Sequence, residues 1–171
     1  MSVENLLVIS INTLVSGVYK VAIPGPTSKY NHIMQVTPDT FTEKSITGIQ
    51  AAHSVAQDAG NIQLAPMHLL KALLDDRDGL LRQLVQKCSI DTQALERAVA
   101  KAIVRLPRQD PPPDTITPSP AFLALLRKAQ EAQKANGDSH VAVDHLVTAL
   151  MHDKDVTAVA NEVGLTRQAM E

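Results

Sequence analysis

The chain contains the same segment twice. Displaced by 77 residues, the stretch 51–74 falls onto 128–151. Ala52/Ala129, Gly60/Gly137, Ala65/Ala142, His68/His145, Leu69/Leu146, Ala72/Ala149, Leu73/Leu150 and Asp76/Asp153 are identical pairs. Ile46/Leu123, Ile49/Leu126, Leu64/Val141 and Leu70/Val147 exchange one apolar side chain for another. Further on the displacement falls to 75, and 84–90 meets 159–165. A unit repeated in tandem buries its apolar face against its neighbour. Such a chain is expected to build a helical platform for binding rather than a catalytic cleft.

The helical grammar begins at Thr42, a capping residue ahead of a stripe of Ile46, Ile49, Ala52 and Ala56 that ends near Ala59-Gly60. Pro66 suits the first turn of a second helix carrying Leu69, Leu70, Leu73 and Leu74. Gly79 breaks the chain before a short third helix over 81–87. Asp91 caps a fourth helix, whose Leu95, Ala98, Val99, Ala102 and Ile103 recur at helical spacing. Three consecutive prolines, Pro111 to Pro113, then impose an extended, stiff connector. Ser119 restarts the pattern with a helix to Ala135, followed by helices over 143–151 and 155–162. Thr166 opens an eighth helix, but the chain stops at Glu171, one and a half turns later. A helix that short is poorly stable, so the sequence is expected to be a piece of a longer chain or a truncated product.

The expected fold is all-α, with two tandem four-helix repeats forming a compact eight-helix domain whose eighth helix is truncated. The boundaries are a leader at 1–40, a first repeat at 41–104, a Pro-rich linker at 105–118 and a truncated second repeat at 119–171. Aromatic residues make up only 2% of the chain against 44% hydrophobic, so the core must be Leu, Ala, Val and Ile. That composition suits close helix packing better than a β-sandwich.

The leader lies outside the repeat. Its apolar run over 6–23 is broken by Ser10, Asn12, Thr13, Ser16 and Lys20, whereas a spanning helix needs about 20 predominantly apolar residues. A signal peptide needs an early basic region, yet Glu4 is the only early charge, and the absence of Arg before Arg77 argues against a transit peptide. The segment reads as a disordered or non-native leader with Met34 as the original start. The alternative is a weak membrane or targeting segment.

Net charge is -2 with the two signs interspersed, which gives no electrostatic case for nucleic acid or an anionic membrane. The lone Cys88 excludes an internal disulfide and fits a reducing compartment. Its repeat partner is Val163, so it is expected to be a small buried hydrophobe. His140, Asp144 and His145 cluster in sequence, but His140 and His145 are five apart and do not share a helix face. His68 and His145, at equivalent places early in the second helix of each repeat, are read as structural. Asp75-Asp76 and Asp110/Asp114 fall in turns, where Asp serves local hydrogen bonds. No zinc, calcium, P-loop or nucleophile-elbow pattern occurs, so no metal, cofactor, catalytic residue or enzymatic activity is expected.

The repeats differ at one place. Phe122 and Leu125 are large and apolar where their counterparts Ser45 and Gly48 are small. Two readings follow. Either the connector, through Leu106 and Ile116, covers these side chains, or they line an apolar groove open to a partner.

The segment LAPMHLLKALLDD (64–76), the linker RLPRQDPPPDTITPS (105–119) and AQEAQKANGDSHVAVDHLVTALMHD (129–153) resemble the Clp N-terminal (Clp R) domain. The similarity is nearest to the ClpB-type disaggregases of the Clp/heat-shock AAA+ chaperones and covers about 41–171. The three-proline linker looks more like eukaryotic cytosolic members than bacterial ones. The resemblance implies an eight-helix accessory domain joined by a mobile linker to a hexameric ATP-driven ring. That domain engages unfolded or aggregated polypeptides, and in related members the same fold docks adaptor proteins. It further implies a substrate groove involving Thr42, Val104, Leu106, Ile116 and Phe122, with Asp114 or Thr115 at a polar edge. The ATPase modules are absent from this chain, so it cannot disaggregate proteins alone.

The resulting expectation is a cytoplasmic substrate-recognition module, monomeric by itself and hexameric in a full-length context. The rivals are an adaptor-docking platform and a standalone or fragment domain without a role of its own.

Overall fold

Thr42 starts the first helix as the sequence predicts. Its side chain accepts the Ser45 N–H at 3.3 Å, and α1 runs over Glu43–Asp58 until Gly60, at φ 67°, turns the chain. Pro66 begins α2 (Pro66–Asp75) and Gly79 precedes α3 (Leu80–Lys87). Asp91 accepts the Gln93 N–H at 2.9 Å and caps α4 (Thr92–Val104). Beyond the connector, Ser119 accepts the Phe122 N–H at 3.1 Å and opens α5 (Pro120–Asn136), which Gly137 closes at φ 76°. Then follow α6 (Val143–Leu150) and α7 (Lys154–Glu162). This computed structural model describes residues 40–166 other than Asp114. The leader (Thr40 excepted) and the eighth helix expected after Thr166 lie outside the described residues.

The connector does more than space the repeats. Its Thr117–Pro118 (β2) pairs in parallel with Gln63–Leu64 (β1), in the register Gln63↔Thr117 and Leu64↔Pro118. The second repeat returns the pairing, since Phe41 bridges Val141 in parallel. The flanking bonds match as well. Ser119 N–H donates to the Leu64 carbonyl at 2.9 Å, and Thr42 N–H donates to the Val141 carbonyl at 3.0 Å. Displacing Thr42 and Leu64 by 77 residues gives Ser119 and Val141, so the repeats exchange one bond under an internal pseudo-twofold. Each buried carbonyl finds its donor in the other repeat. Helical periodicity gives no hint of this strand pairing.

Within each repeat the first two helices pair, α1 on α2 and α5 on α6. Ala52, Ala56 and Ala129 are buried at these contacts, where small side chains let the helices approach. Leu69, Leu70 and Leu74 of α2 meet a core that includes Leu95 and Val99 of α4, Leu146 and Leu150 of α6, and Val156 of α7. Helix α2 packs against both α4 and α7. Cys88 departs from expectation. It is half-buried at the C-cap of α3, packed on the edge of the core, and Val163 holds the same half-buried place after α7.

Both equivalent histidines are structural latches. His68 Nδ1 accepts the Ala65 N–H at 2.9 Å, so Nε2 carries the proton and faces Asn61 Oδ1 at 3.0 Å. Asn61 Nδ2 in turn donates to the Leu106 and Pro107 carbonyls at 3.3 and 3.2 Å, tying the start of the connector to the first repeat. His145 repeats the motif with the Ala142 N–H at 3.0 Å and Asp138 Oδ2 at 3.0 Å. Burial pushes the His68 pKa down to about 4.

Candidate binding cleft

The residues singled out in the sequence do not share one environment. Phe122 is 1% and Ile116 2% exposed, and Leu125 is buried with them. Of the two readings of the repeat asymmetry, burial is the one observed, so Phe122 and Ile116 pack the interior here instead of walling an open groove. A large aromatic in a chain with so few has its greatest value inside. Val104 projects into solvent at 67% exposure, Leu106 is half-buried and Thr115 is exposed. Asp114 lies outside the described residues. Thr42 is half-buried at the N-terminus of α1.

In the first repeat Ser45 is fully buried, while Gly48 borders a cleft. Beside α1 lies a cleft of about 470 Å³, floored by Gly48, Ala51, Ala72, Leu73 and Leu81. A Cβ on Gly48 would stand 3.0 Å from Leu73 Cδ2, so the missing side chain lets Leu73 pack close against α1, and the two residues together line the cleft. An adjoining cavity of about 420 Å³ extends past Thr42 to Ala142, Val143 and Asp144 at the start of α6. Leu80 and Val143 line both lobes. Leu80 is 37% exposed at the start of α3.

Of the seven residues implied by the resemblance, Thr42 lines this cleft. Gly48, Leu80 and Val143, which also line it, were not singled out as site residues in the sequence. The available signal was Gly48 itself, because a glycine inside a helical pattern costs stability and marks a close approach or a gap.

The rim is charged. Glu43, Asp76, Asp78 and Asp144 border the two lobes, with Lys44 between them. The Lys and Arg ion pairs among the described residues are Lys71–Asp75, Arg82–Glu96 and Arg97–Asp91, so no lysine or arginine neutralises the four rim carboxylates. Asp144 Oδ1 lies 3.5 Å from His145 Nδ1, but that nitrogen already accepts the Ala142 N–H and has no proton to offer.

Among the described residues, no group of three or more His, Cys, Asp or Glu is arranged to hold a metal ion. No described helix is long and apolar enough to cross a membrane. The arrangement offers a shallow apolar floor with a polar edge, which suits a side chain of another polypeptide.

Comparison with known proteins gives the family. The Clp repeat (R) N-terminal domain family matches residues 40–161. Heat shock protein 104 of Schizosaccharomyces pombe is 42% identical over 135 residues, covering 77% of this chain and 15% of that protein. Chaperone protein ClpB 1 of Parasynechococcus marenigrum is 34% identical over 120 residues, covering 70% of this chain and 14% of its own. The crystal structure of the Hsp104 N-terminal domain from Candida albicans superposes with a TM-score of 0.71 at 33% identity, covering 76% of this chain and 85% of that one. The chain therefore spans about 15% of the length of the heat shock protein it matches.

Proposed function

Since the chain belongs to the Clp repeat (R) N-terminal domain family, we propose that it is the substrate-recognition module of a ClpB-type disaggregase, gripping exposed apolar segments of unfolded or aggregated polypeptides. The observation that carries this reading is the cleft beside α1, lined by Gly48 and Leu73 and edged by the exposed Leu80. Burying one large apolar side chain yields about 1.5–3 kcal/mol, part of which is spent on ordering the bound segment. Binding should be weak and sequence-tolerant, as suits a module that must release its cargo. The ATP-driven work belongs to AAA+ modules of a longer chain, which would assemble as a hexamer, while this piece alone stays monomeric. We assign it to the cytoplasm, where Cys88 remains a thiol.

The test is an amide-resolved titration of the chain with reduced casein. Shifts concentrated on Thr47, Gly48, Leu73, Leu80 and Val143 support the reading. Shifts elsewhere, or none, oppose it.

A second reading, docking of an adaptor protein, is favoured by one observation. Val104, a carried-over groove residue, stands 67% exposed at the end of α4, with half-buried Leu106 following it in the chain. An adaptor seated on Val104, Leu106 and Thr115 would lose affinity in Val104→Ser, a change that leaves casein binding at the cleft intact.

A further inference from the structure

Resting on the cleft reading above, we infer that this cleft selects apolar segments flanked by lysine or arginine. The floor is neutral and apolar, so it cannot distinguish among flanking residues; the rim can. Four carboxylates, Glu43, Asp76, Asp78 and Asp144, border the two lobes against the single ammonium of Lys44. The whole chain carries 18 acidic and 16 basic side chains, so the rim is far more one-sided than the molecule. Asp76 and Asp78 sit in the turn between α2 and α3, and Glu43 lies in the first turn of α1. Asp144 lies in the first turn of α6, so the carboxylates approach the cleft from different elements. None has a lysine or arginine partner among the described residues. An arriving cation therefore displaces no existing ion pair.

An apolar side chain on the Leu73 floor brings its sequence neighbours to the rim, where a lysine or arginine meets carboxylates and a glutamate meets repulsion. Rim charges act at a distance from the floor, so this preference ranks clients instead of restricting them to one sequence. Lys44 sets a limit on the bias by favouring an acidic residue at one edge.

The experiment uses the chain as it stands and three synthetic peptides sharing one leucine-rich centre, flanked by lysines, by glutamines or by glutamates. Fluorescence anisotropy is read at low and high salt. The inference predicts affinity in the order lysine, glutamine, glutamate, with the spread shrinking at high salt. Asp76→Asn and Asp144→Asn should each reduce the ratio of lysine-peptide to glutamine-peptide affinity roughly two- to fivefold. Equal affinity for all three peptides, with all lost in Gly48→Leu, would overturn the charge preference and leave the cleft reading standing. Lysine-selective binding that survives Gly48→Leu would overturn both. Failure of all three peptides to bind would do the same.

Discussion

The Ser45 hydroxyl donates to the Val141 carbonyl at 2.9 Å, across a sequence separation of 96 residues. The same carbonyl accepts the Thr42 N–H at 3.0 Å, so one oxygen of the second repeat holds the first turn of α1 by two bonds. Ser45 is fully buried, and so is its repeat counterpart Phe122. The two positions solve the same packing problem differently, one with a hydrogen bond and one with a ring.

Truncating each should reveal the difference. Ser45→Ala removes one of two donors and should cost about 1 kcal/mol, whereas Phe122→Ala should cost about 3–5 kcal/mol through the cavity it leaves. Urea unfolding of both variants measures this. A Phe122→Ala variant with wild-type stability would mean that the ring is not core.

Ser89 holds φ 57° after α3, where the corresponding residue after α7 is Gly164 at φ 82°. A serine strains in that region and a glycine does not. Ser89→Gly should therefore raise stability by about 0.5–1 kcal/mol, after allowing for the freer unfolded chain. Gly164→Ser should lower it by a similar amount. Thermal unfolding reads both signs, and a destabilising Ser89→Gly would contradict the assignment.

His68 makes stability depend on pH. Burial holds its pKa near 4 in the folded chain, against 6.5 for the free side chain. Between those values the unfolded chain binds the extra proton, so stability falls as pH drops through 6.5 towards 4 and this contribution levels off below. Gaining a proton on Nδ1 also sacrifices the Ala65 N–H bond. The loss should amount to roughly 2–3 kcal/mol. His68→Gln should be less stable at neutral pH yet flatter across this window. An unaltered slope would assign the acid sensitivity to other groups.

The helices were legible because each signal is local. Thr42, Asp91 and Ser119 cap where they stand, and Pro66 starts its helix because a first turn needs no N–H. The pairing of Gln63–Leu64 with Thr117–Pro118 was not legible, since two residues have no period and the contact depends on the pseudo-twofold. The burial of Phe122 and Leu125 was not legible for a related reason. Size differences between Ser45/Gly48 and Phe122/Leu125 mark where the repeats diverge, but only the packed chain shows how each side is filled. Large side chains drew the inference towards themselves, and they proved to be filling. The Asn61 and Asp138 partners of the two histidines were in the alignment 77 residues apart, masked by the change from amide to carboxylate.

The central claim is that the space above Gly48 receives cargo, and a single variant tests it. Gly48→Leu copies the second repeat, where Leu125 is buried, and fills the cleft from the middle of α1. A Cβ there would stand 3.0 Å from Cδ2 of the buried Leu73, so that side chain must shift to admit the new one. Better helix propensity, worth up to about 1 kcal/mol over glycine, works in favour of folding. We would measure reduced casein binding by wild type and Gly48→Leu, with melting temperatures for both. The account predicts a tenfold or greater loss of affinity, on the order of 1.4 kcal/mol, in a variant whose melting transition stays cooperative. Unchanged affinity in a variant that folds normally would contradict it and move the binding surface away from α1.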